Sequence, residues 1–239
     1  MTRPHSGTAL VLAHEDDRER GRTEAGSLAD AIRARGLTPV VVHPADDLPD
    51  PATVEAVVVL GSVDSAYDDS LSWLRAERAY LDRVVEAGTP TLGVCFGGQI
   101  LSRVLGGVVE RSPHPEIGFV DVTPEDAAAS WIDDGPWMQW HFDHFSLPPG
   151  ARRLAHNDAG LQAFVRGRVV GTQFHPEITA ASFAAWRLGW SRESEREVQR
   201  DFGIDVDDLA ARIEADRASL AARCARLLDG VLDGGLLQD

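Results

Sequence analysis

Cysteine is scarce in this chain of 239 residues, which contains only Cys95 and Cys224. Neither belongs to a C-x-x-C pair, so the spacing predicts neither a structural zinc site nor a disulfide framework. The N-terminal apolar run is short and is soon followed by charged residues, unlike the core of a signal peptide. We therefore expect a cytoplasmic protein whose thiols stay reduced.

Basic residues are also few: the chain has 23, all of them arginine, against 38 aspartate and glutamate residues, and its formal net charge is −15. Nucleic acids and anionic membranes attract basic surfaces, so neither is an expected partner. The sequence has no apolar run long enough to cross a bilayer and no low-complexity tract. It also lacks a G-x-x-x-x-G-K-[ST] phosphate-binding loop.

Short apolar runs alternate with helical segments along the first hundred residues. The runs lie at residues 8–13, 39–43, 54–60 and 90–94, and helices are expected at residues 27–35, at residues 71–87 and after Cys95. Continuous apolar runs of this length are typical of strands that are buried on both faces. Their alternation with helices predicts an α/β fold with a mainly parallel central sheet flanked by helices.

The later part of the chain has a different pattern. Strand-like pieces at residues 118–122, 153–156, 161–165 and 169–174 are separated by proline and glycine, so we expect some antiparallel pairing. Residues after Thr179 look helical, and residues 205–228 carry apolar side chains at helical spacing. The simplest division is a domain over residues 1–190 with a helical C-terminal segment, residues 191–239, packed on it.

A G-x-C-x-G motif formed by Gly93, Cys95 and Gly97 ends the fourth apolar run. It is the cysteine counterpart of the nucleophile elbow, in which a strand turns sharply into a helix. The N–H groups at the start of that helix would favour a thiolate and an oxyanion. The motif is short, so a buried structural cysteine is an equal alternative at this point. Cys224 lies in a helical stretch without such a turn and is expected to pack in the interior.

His175 is the best-placed base among the eight histidines, because it follows a strand-like run. Glu177 is two residues further on, so in an extended segment it points the same way and can orient the imidazole. The alternative is a core histidine beside a carboxylate that starts a helix.

His141 and His144 form an H-x-x-H around Asp143, but no third ligand with recognisable spacing follows. A residue that lines a pocket is therefore favoured over a metal ligand. The remaining histidines belong to no recognisable group: His5, His14, His43, His114 and His156.

Several segments, in chain order, resemble class I glutamine amidotransferases, and more narrowly the free-standing group similar to the amidotransferase domain of GMP synthase. VVVLGSVDSAYDD resembles the oxyanion-loop region, and TLGVCFGGQIL resembles the nucleophile elbow with its glutamine. PEIGFVDV, WHFDHFSLPPG and GTQFHPEIT resemble the later strand, pocket and His-Pro-Glu segments. The resemblance covers roughly residues 9–179 and implies a flavodoxin-like fold.

The resemblance implies Cys95 as nucleophile, His175 as base and Glu177 as its partner. Backbone N–H groups would form an oxyanion hole, supplied by Phe96 and by Gly61 or Ser62. Substrate-binding residues would be Gln99, Gly97 and His141.

The chain departs from the family pattern in two places. Members typically carry Gly-Gly-Pro where this chain has GSV at residues 61–63, so we expect the oxyanion loop to be less preset. Members also usually have a larger residue where Gly98 stands.

The reaction implied by the resemblance is hydrolysis of the side-chain amide of L-glutamine through a cysteine thioester, giving glutamate and ammonia without a metal or organic cofactor. A separate synthetase or other acceptor-activating enzyme would then use the ammonia. Two alternatives stay open. One is a γ-glutamyl hydrolase that cleaves a γ-glutamyl amide with the same residues. The other is a catalytically silent regulatory subunit, against which the intact Cys, His and Glu argue.

Overall fold

Ten strands divide between two sheets in the computed structural model, which describes residues 7–125 and 130–234. Their bounds are β1 (Thr8–Leu12), β2 (Thr38–Val42), β3 (Ala56–Val59), β4 (Thr91–Val94), β5 (Val109–Val120), β6 (Thr123–Pro124), β7 (Trp137–Phe145), β8 (Arg152–Asn157), β9 (Gly160–Arg166) and β10 (Val169–Thr172). The larger sheet has the order β2-β1-β3-β4-β10-β9-β8-β6, and β5 pairs with β7 in the smaller one.

The centre of the larger sheet is parallel. Strands β2, β1, β3, β4 and β10 run in one direction, and β9, β8 and β6 extend the sheet by antiparallel pairing. Both the predicted parallel α/β sheet and the later antiparallel pairing are confirmed. Every residue of β3 and β4 is buried, as their continuous apolar sequences require when helices cover both faces.

Helices cover both faces of this sheet. The α-helices of the described ranges are α1 (Arg18–Glu24), α2 (Gly26–Ala34), α3 (Ser72–Ala87), α4 (Phe96–Val104), α5 (Ala180–Arg187), α6 (Arg192–Phe202), α7 (Val206–Ala215) and α8 (Arg217–Leu232). Alternate residues of β1 face two different hydrophobic cores. Val11 packs with α2 and α8, whereas Leu10 packs with α3 and α4. Within the described ranges, no helix has the length and apolar character to span a bilayer.

The helical C-terminal part contains α6, α7 and α8. Its predicted single stretch over residues 205–228 is divided at Asp216, which closes α7 and precedes α8. Helix α8 packs on α2 and contributes Cys224 to the core beneath it. Cys224 is fully buried, which confirms the packing role expected for it, and burial raises the pKa of its thiol to about 12. The division at residue 190 stays a prediction.

The sequence prediction missed α1, β7 and most of β5, for which it gave a strand only at residues 118–122. In β7, the polar side chains of Gln139, His141 and Asp143 are buried, while Trp140 and Phe142 are partly exposed. This reverses the usual alternation of a half-buried strand, because each of these polar side chains has a hydrogen-bond partner elsewhere in the chain. A pattern that assumes an apolar interior therefore does not find the strand.

Candidate active site

The nucleophile elbow is present between β4 and α4. Cys95 has φ 53° and ψ −108° and is the only residue other than glycine with a positive φ in the described part of the chain. Such a conformation costs on the order of 1–3 kcal/mol and persists only where the surroundings fix it. The Cys95 N–H donates to the carbonyl of Thr172 at 2.8 Å, which ties the elbow to the neighbouring strand β10.

The glycines around Cys95 are needed for close packing. An added Cβ at Gly93 would lie 2.4 Å from the carbonyl oxygen of Gly97, and one at Gly97 would lie 2.0 Å from that of Val59. Gly98 is equally confined, since a Cβ there would lie 2.5 Å from the carbonyl oxygen of Thr172. The departure at Gly98 thus accompanies a close approach of α4 to the sheet. Gly97 faces β3, and a role for it in substrate binding stays a prediction.

The structure brings Cys95, His175 and Glu177 together. His175 follows β10, and its backbone N–H donates to Met138 of β7 at 2.8 Å. Its Nδ1 lies 2.7 Å from Oε1 of Glu177, and all three residues are buried. A carboxylate only accepts, so the proton of this bond is on Nδ1. Nε2 is buried and makes no hydrogen bond to a described residue.

The charges around His175 favour its protonated form. Burial lowers the pKa of His175, but the negative charges of Glu177 and Cys95 outweigh that effect and raise the pKa to about 10. At neutral pH the imidazole is therefore protonated, with the Glu177 carboxylate and the Cys95 sulfur as its neighbours. A group in this position can transfer a proton to a leaving amine and recover one from water.

Cys95 and His175 line a cavity of about 300 Å³. Three tryptophans form part of its wall. Trp140 and Trp190 stack with their ring centroids 4.7 Å apart, and Trp186 meets the ring of His175 edge-to-face at 4.7 Å. Charged side chains also line it: Glu15, Arg20, Glu24, Asp64, Arg111 and Asp143. The described residues contain no group of three or more His, Cys, Asp or Glu side chains able to hold a metal ion.

The predicted oxyanion loop, residues 61–63, follows β3 and borders the same cavity. Gly61 and Ser62 both line it, and an added Cβ at Gly61 would lie 3.2 Å from Cε1 of His175. The Ser62 hydroxyl accepts the backbone N–H of Asp64 at 3.1 Å. Phe96, the other predicted donor residue, is the first residue of α4 and also lines the cavity. The predicted donors therefore lie on two elements that meet beside Cys95.

Gln99 and His141 form a wall of the cavity. The side-chain amide of Gln99 donates to the carbonyl of Asp143 at 3.1 Å. His141 is engaged at both nitrogens, since Nδ1 lies 3.1 Å from the carbonyl oxygen of Asp143 and Nε2 lies 3.1 Å from the Glu116 carboxylate. His141 and His144 are three residues apart on β7 and lie on opposite faces of the strand, which does not suit a shared metal ion. Contact of Gln99 or His141 with a substrate stays a prediction.

Two groups of residues near the site were missed from sequence. The Asp143 carboxylate is buried and accepts hydrogen bonds from Ser65 at 2.7 Å and from Tyr67 at 3.3 Å. The prediction that His14 belongs to no group of polar residues is wrong, because its Nε2 lies 3.0 Å from the buried carboxylate of Glu77. The members of these pairs are 63 to 78 residues apart in the chain, so no local motif indicates that they interact. His5 lies outside the described residues.

Several known proteins are similar to this chain. It is 32% identical over 182 residues to a glutamine-hydrolyzing GMP synthase from Aeropyrum pernix, covering 64% of this chain and 35% of that protein. It is also 32% identical over 161 residues to the Cupriavidus necator enzyme of that name, covering 58% and 28%. The chain thus spans about a third or less of these relatives.

The fold has near-complete matches among solved structures. A glutamine amidotransferase from Thermotoga maritima superposes with a TM-score of 0.82 at 26% identity, over 96% of this chain and 99% of that one. The model of the family "Glutamine amidotransferase class-I" matches residues 22–185, which include the elbow, the oxyanion loop and the His-Pro-Glu segment. Since that match takes in most of the chain and the fold agrees along its length, the chain belongs to the class I glutamine amidotransferase family.

Proposed function

We propose that this protein hydrolyses the side-chain amide of L-glutamine through a Cys95 thioester and releases glutamate and ammonia. The observation that carries the proposal is the geometry of one cavity. A strained elbow presents Cys95 there, beside the imidazole of His175, whose Nδ1 is hydrogen-bonded to Glu177. A nucleophile, a base and an orienting carboxylate in this order are the parts that acyl transfer needs.

The reaction begins when the Cys95 sulfur attacks the amide carbon of glutamine. The carbonyl oxygen takes up negative charge, which the backbone N–H groups of Phe96 and Ser62 stabilise. His175 donates its proton to the amide nitrogen, the C–N bond breaks, and ammonia leaves with a glutamyl thioester remaining on Cys95. Water then loses a proton to His175 and attacks the thioester, which frees glutamate and the thiol.

The glutamine-hydrolyzing GMP synthases similar to this chain are far longer than it. For this protein we propose that a separate acceptor-activating protein uses the ammonia. Residues 22–185, which match the family model, hold all the residues of the proposed hydrolysis, so the acceptor chemistry need not lie on this segment.

The first test is glutamate release from L-glutamine by the purified protein, with Cys95→Ala as its matched control. We expect release by the natural protein and none by the variant. Equal release from both would refute a Cys95 thioester. If neither protein released glutamate from L-glutamine, while the natural protein cleaved another substrate in a separate assay, glutamine would be refuted as the substrate.

A second candidate, hydrolysis of a γ-glutamyl amide that carries an apolar amine, has one specific observation in its favour. Trp186 packs on His175, the residue that protonates the leaving nitrogen, and Trp140 and Trp190 continue that wall. An aromatic wall offers apolar contact to a substituent on the nitrogen, which ammonia lacks. Faster cleavage of a γ-glutamyl anilide than of glutamine would favour this second reaction.

A further inference from the structure

A buried ion pair lies directly behind the oxyanion loop and has no part in the proposed proton transfers. His14 follows β1, and Glu77 lies on α3. Their side chains are 2% and 0% exposed, and His14 Nε2 lies 3.0 Å from Glu77 Oε1. The other ring nitrogen, Nδ1, lies 2.8 Å from the carbonyl oxygen of Gly61. His14 thus joins the buried carboxylate to the backbone of the oxyanion loop.

The protons of His14 follow from its two partners. A carbonyl oxygen only accepts, so Nδ1 donates to Gly61, and the Glu77 carboxylate likewise favours a proton on Nε2. Burial lowers the pKa of His14, but the charge of Glu77 and the hydrogen bonds outweigh it and raise the pKa. The donor to Gly61 is therefore held in place by the acid on the opposite side of the ring.

The bond to Gly61 determines the direction of the next N–H group. The carbonyl of Gly61 and the N–H of Ser62 belong to one planar peptide unit, which is trans, so they point in opposite directions. Fixing the carbonyl toward His14 directs the Ser62 N–H away from it, and Ser62 lines the cavity that contains Cys95. Inside the described ranges, no backbone carbonyl accepts this N–H.

His14 also touches the second predicted donor. Its ring packs on that of Phe96 with centroids 4.6 Å apart, and the ring of Trp73 lies 5.2 Å from it. One side chain therefore contacts both Phe96 and the Gly61–Ser62 peptide, the two predicted sources of oxyanion donors. The loop here is GSV, without the second glycine and the proline of the family pattern, so another contact must fix its peptide.

We propose that His14, oriented by Glu77, is a positioning residue that holds the Gly61–Ser62 peptide with its N–H directed at the oxyanion. The inference rests on the proposed function only in that Cys95 performs acyl transfer; it does not depend on which amide is the substrate.

Two substitutions at one position separate this role from simple packing. His14→Asn keeps an N–H donor near the position of Nδ1 and can preserve the bond to Gly61, but it loses Glu77. His14→Gln places its amide near the position of Nε2, so it can keep Glu77 but loses Gly61. Both variants remove the ring from Phe96, so a packing effect is common to the two.

The measurement compares two reactions of Cys95 in each variant. In acylation by p-nitrophenyl acetate, the sulfur bonds to the acetyl carbon and p-nitrophenolate leaves, which requires an oxyanion. In alkylation by iodoacetamide, the sulfur displaces iodide and no oxyanion forms. We expect His14→Gln to lower the acylation rate by roughly 10²–10³, the loss typical of one oxyanion donor, with alkylation unchanged. His14→Asn should stay close to the natural protein in both reactions.

Equal acylation rates in the Asn and Gln variants, or a parallel fall in alkylation, would overturn the inference. Rates are expressed per alkylatable Cys95, and Cys95→Ala gives the background, so loss of folded protein is not counted as loss of positioning. Glutamate release is measured beside them with L-glutamine. Release that His14→Gln leaves intact would refute the positioning role while the proposed function stands. No release from the natural protein, with the acylation difference present, would refute the proposed substrate alone.

Discussion

Replacing Glu177 by glutamine removes the charge that keeps His175 protonated. The side chain keeps its size, and its amide can still contact Nδ1, but the buried carboxylate 2.7 Å away is gone. Among the effects that raise the pKa of His175 to about 10, the charge of Glu177 is the largest. The interval from the ordinary 6.5 corresponds to roughly 5 kcal/mol at 1.36 kcal/mol per factor of ten, shared between Glu177 and Cys95. We therefore expect Glu177→Gln to bring the pKa of His175 down toward 6.5.

The raised pKa of His175 also makes the free energy of unfolding depend on pH, and Glu177→Gln should weaken that dependence. A histidine whose pKa is raised on folding adds stability that is fully present below 6.5 and is lost as the pH rises through about 10. The free energy of unfolding of the natural protein should therefore fall between pH 6.5 and pH 10, and that fall should be smaller in Glu177→Gln. Glutamate release should drop on the order of 10⁴-fold, as it does when the orienting carboxylate of a Ser-His-Asp triad becomes an amide.

The assay is an NMR titration of the His175 ring protons, with urea unfolding at pH 6.5 and pH 10 and with glutamate release at pH 7.5. A matched control is Glu125→Gln, since Glu125 pairs with Arg153 at the far edge of the sheet and should leave all three results unchanged. If Glu177→Gln titrated like the natural protein, the carboxylate would not be what keeps His175 protonated, and the electrostatic account of the triad would be wrong.

Three further experiments test the packing, charge and thiol accessibility around the site. Gly97→Ala should destabilise the fold by about 3 kcal/mol or more, because its Cβ would lie 2.0 Å from a strand carbonyl, whereas Gly189→Ala, with nothing within 4 Å, should leave the melting temperature unchanged. Burial and the charge of Glu15 raise the pKa of Glu24 to about 7, so the free energy of unfolding falls as the pH rises from 4.5 through 7. Glu24→Gln should therefore have a higher melting temperature than the natural protein at pH 8 and the same one at pH 4. Iodoacetamide should add one adduct to the native protein, at Cys95, because Cys224 is fully buried with its pKa raised to about 12; Cys224→Ala should still gain one adduct and Cys95→Ala none.

The parts of the fold that follow local rules were predictable from sequence. Strands β1, β3 and β4 are short apolar runs because both of their faces are buried, and α3 ends at Gly88, whose φ of 68° is the left-handed cap that glycine favours. The elbow was predictable for the same reason, since the strand, Cys95 and its glycines are adjacent. His175 and Glu177 are two residues apart, so their hydrogen bond also has a local signature.

The parts that escaped prediction are polar groups whose partners are distant in sequence. Inside a protein, such a group must find a partner, and the cost of leaving it unpaired exceeds the cost of an unfavourable local pattern. Gln139 of β7 is buried because its amide donates to Gln162 of β9 at 2.8 Å. His14 is buried because Glu77 and the Gly61 carbonyl both accept its protons. Neither residue has a neighbour along the chain that would justify its burial.

The same physical rule explains why the distant pairs surround the cavity. A core made of apolar side chains tolerates changes of register and of rotamer, whereas a buried hydrogen bond fixes both donor and acceptor within a few tenths of an ångström. Acyl transfer requires such fixed positions at the oxyanion loop and at the base. The elbow presents the nucleophile, but the peptide that faces it is held from the opposite side by a histidine 47 residues earlier in the chain. Sequence motifs thus locate the reacting groups, and the long-range polar contacts determine whether those groups are aligned.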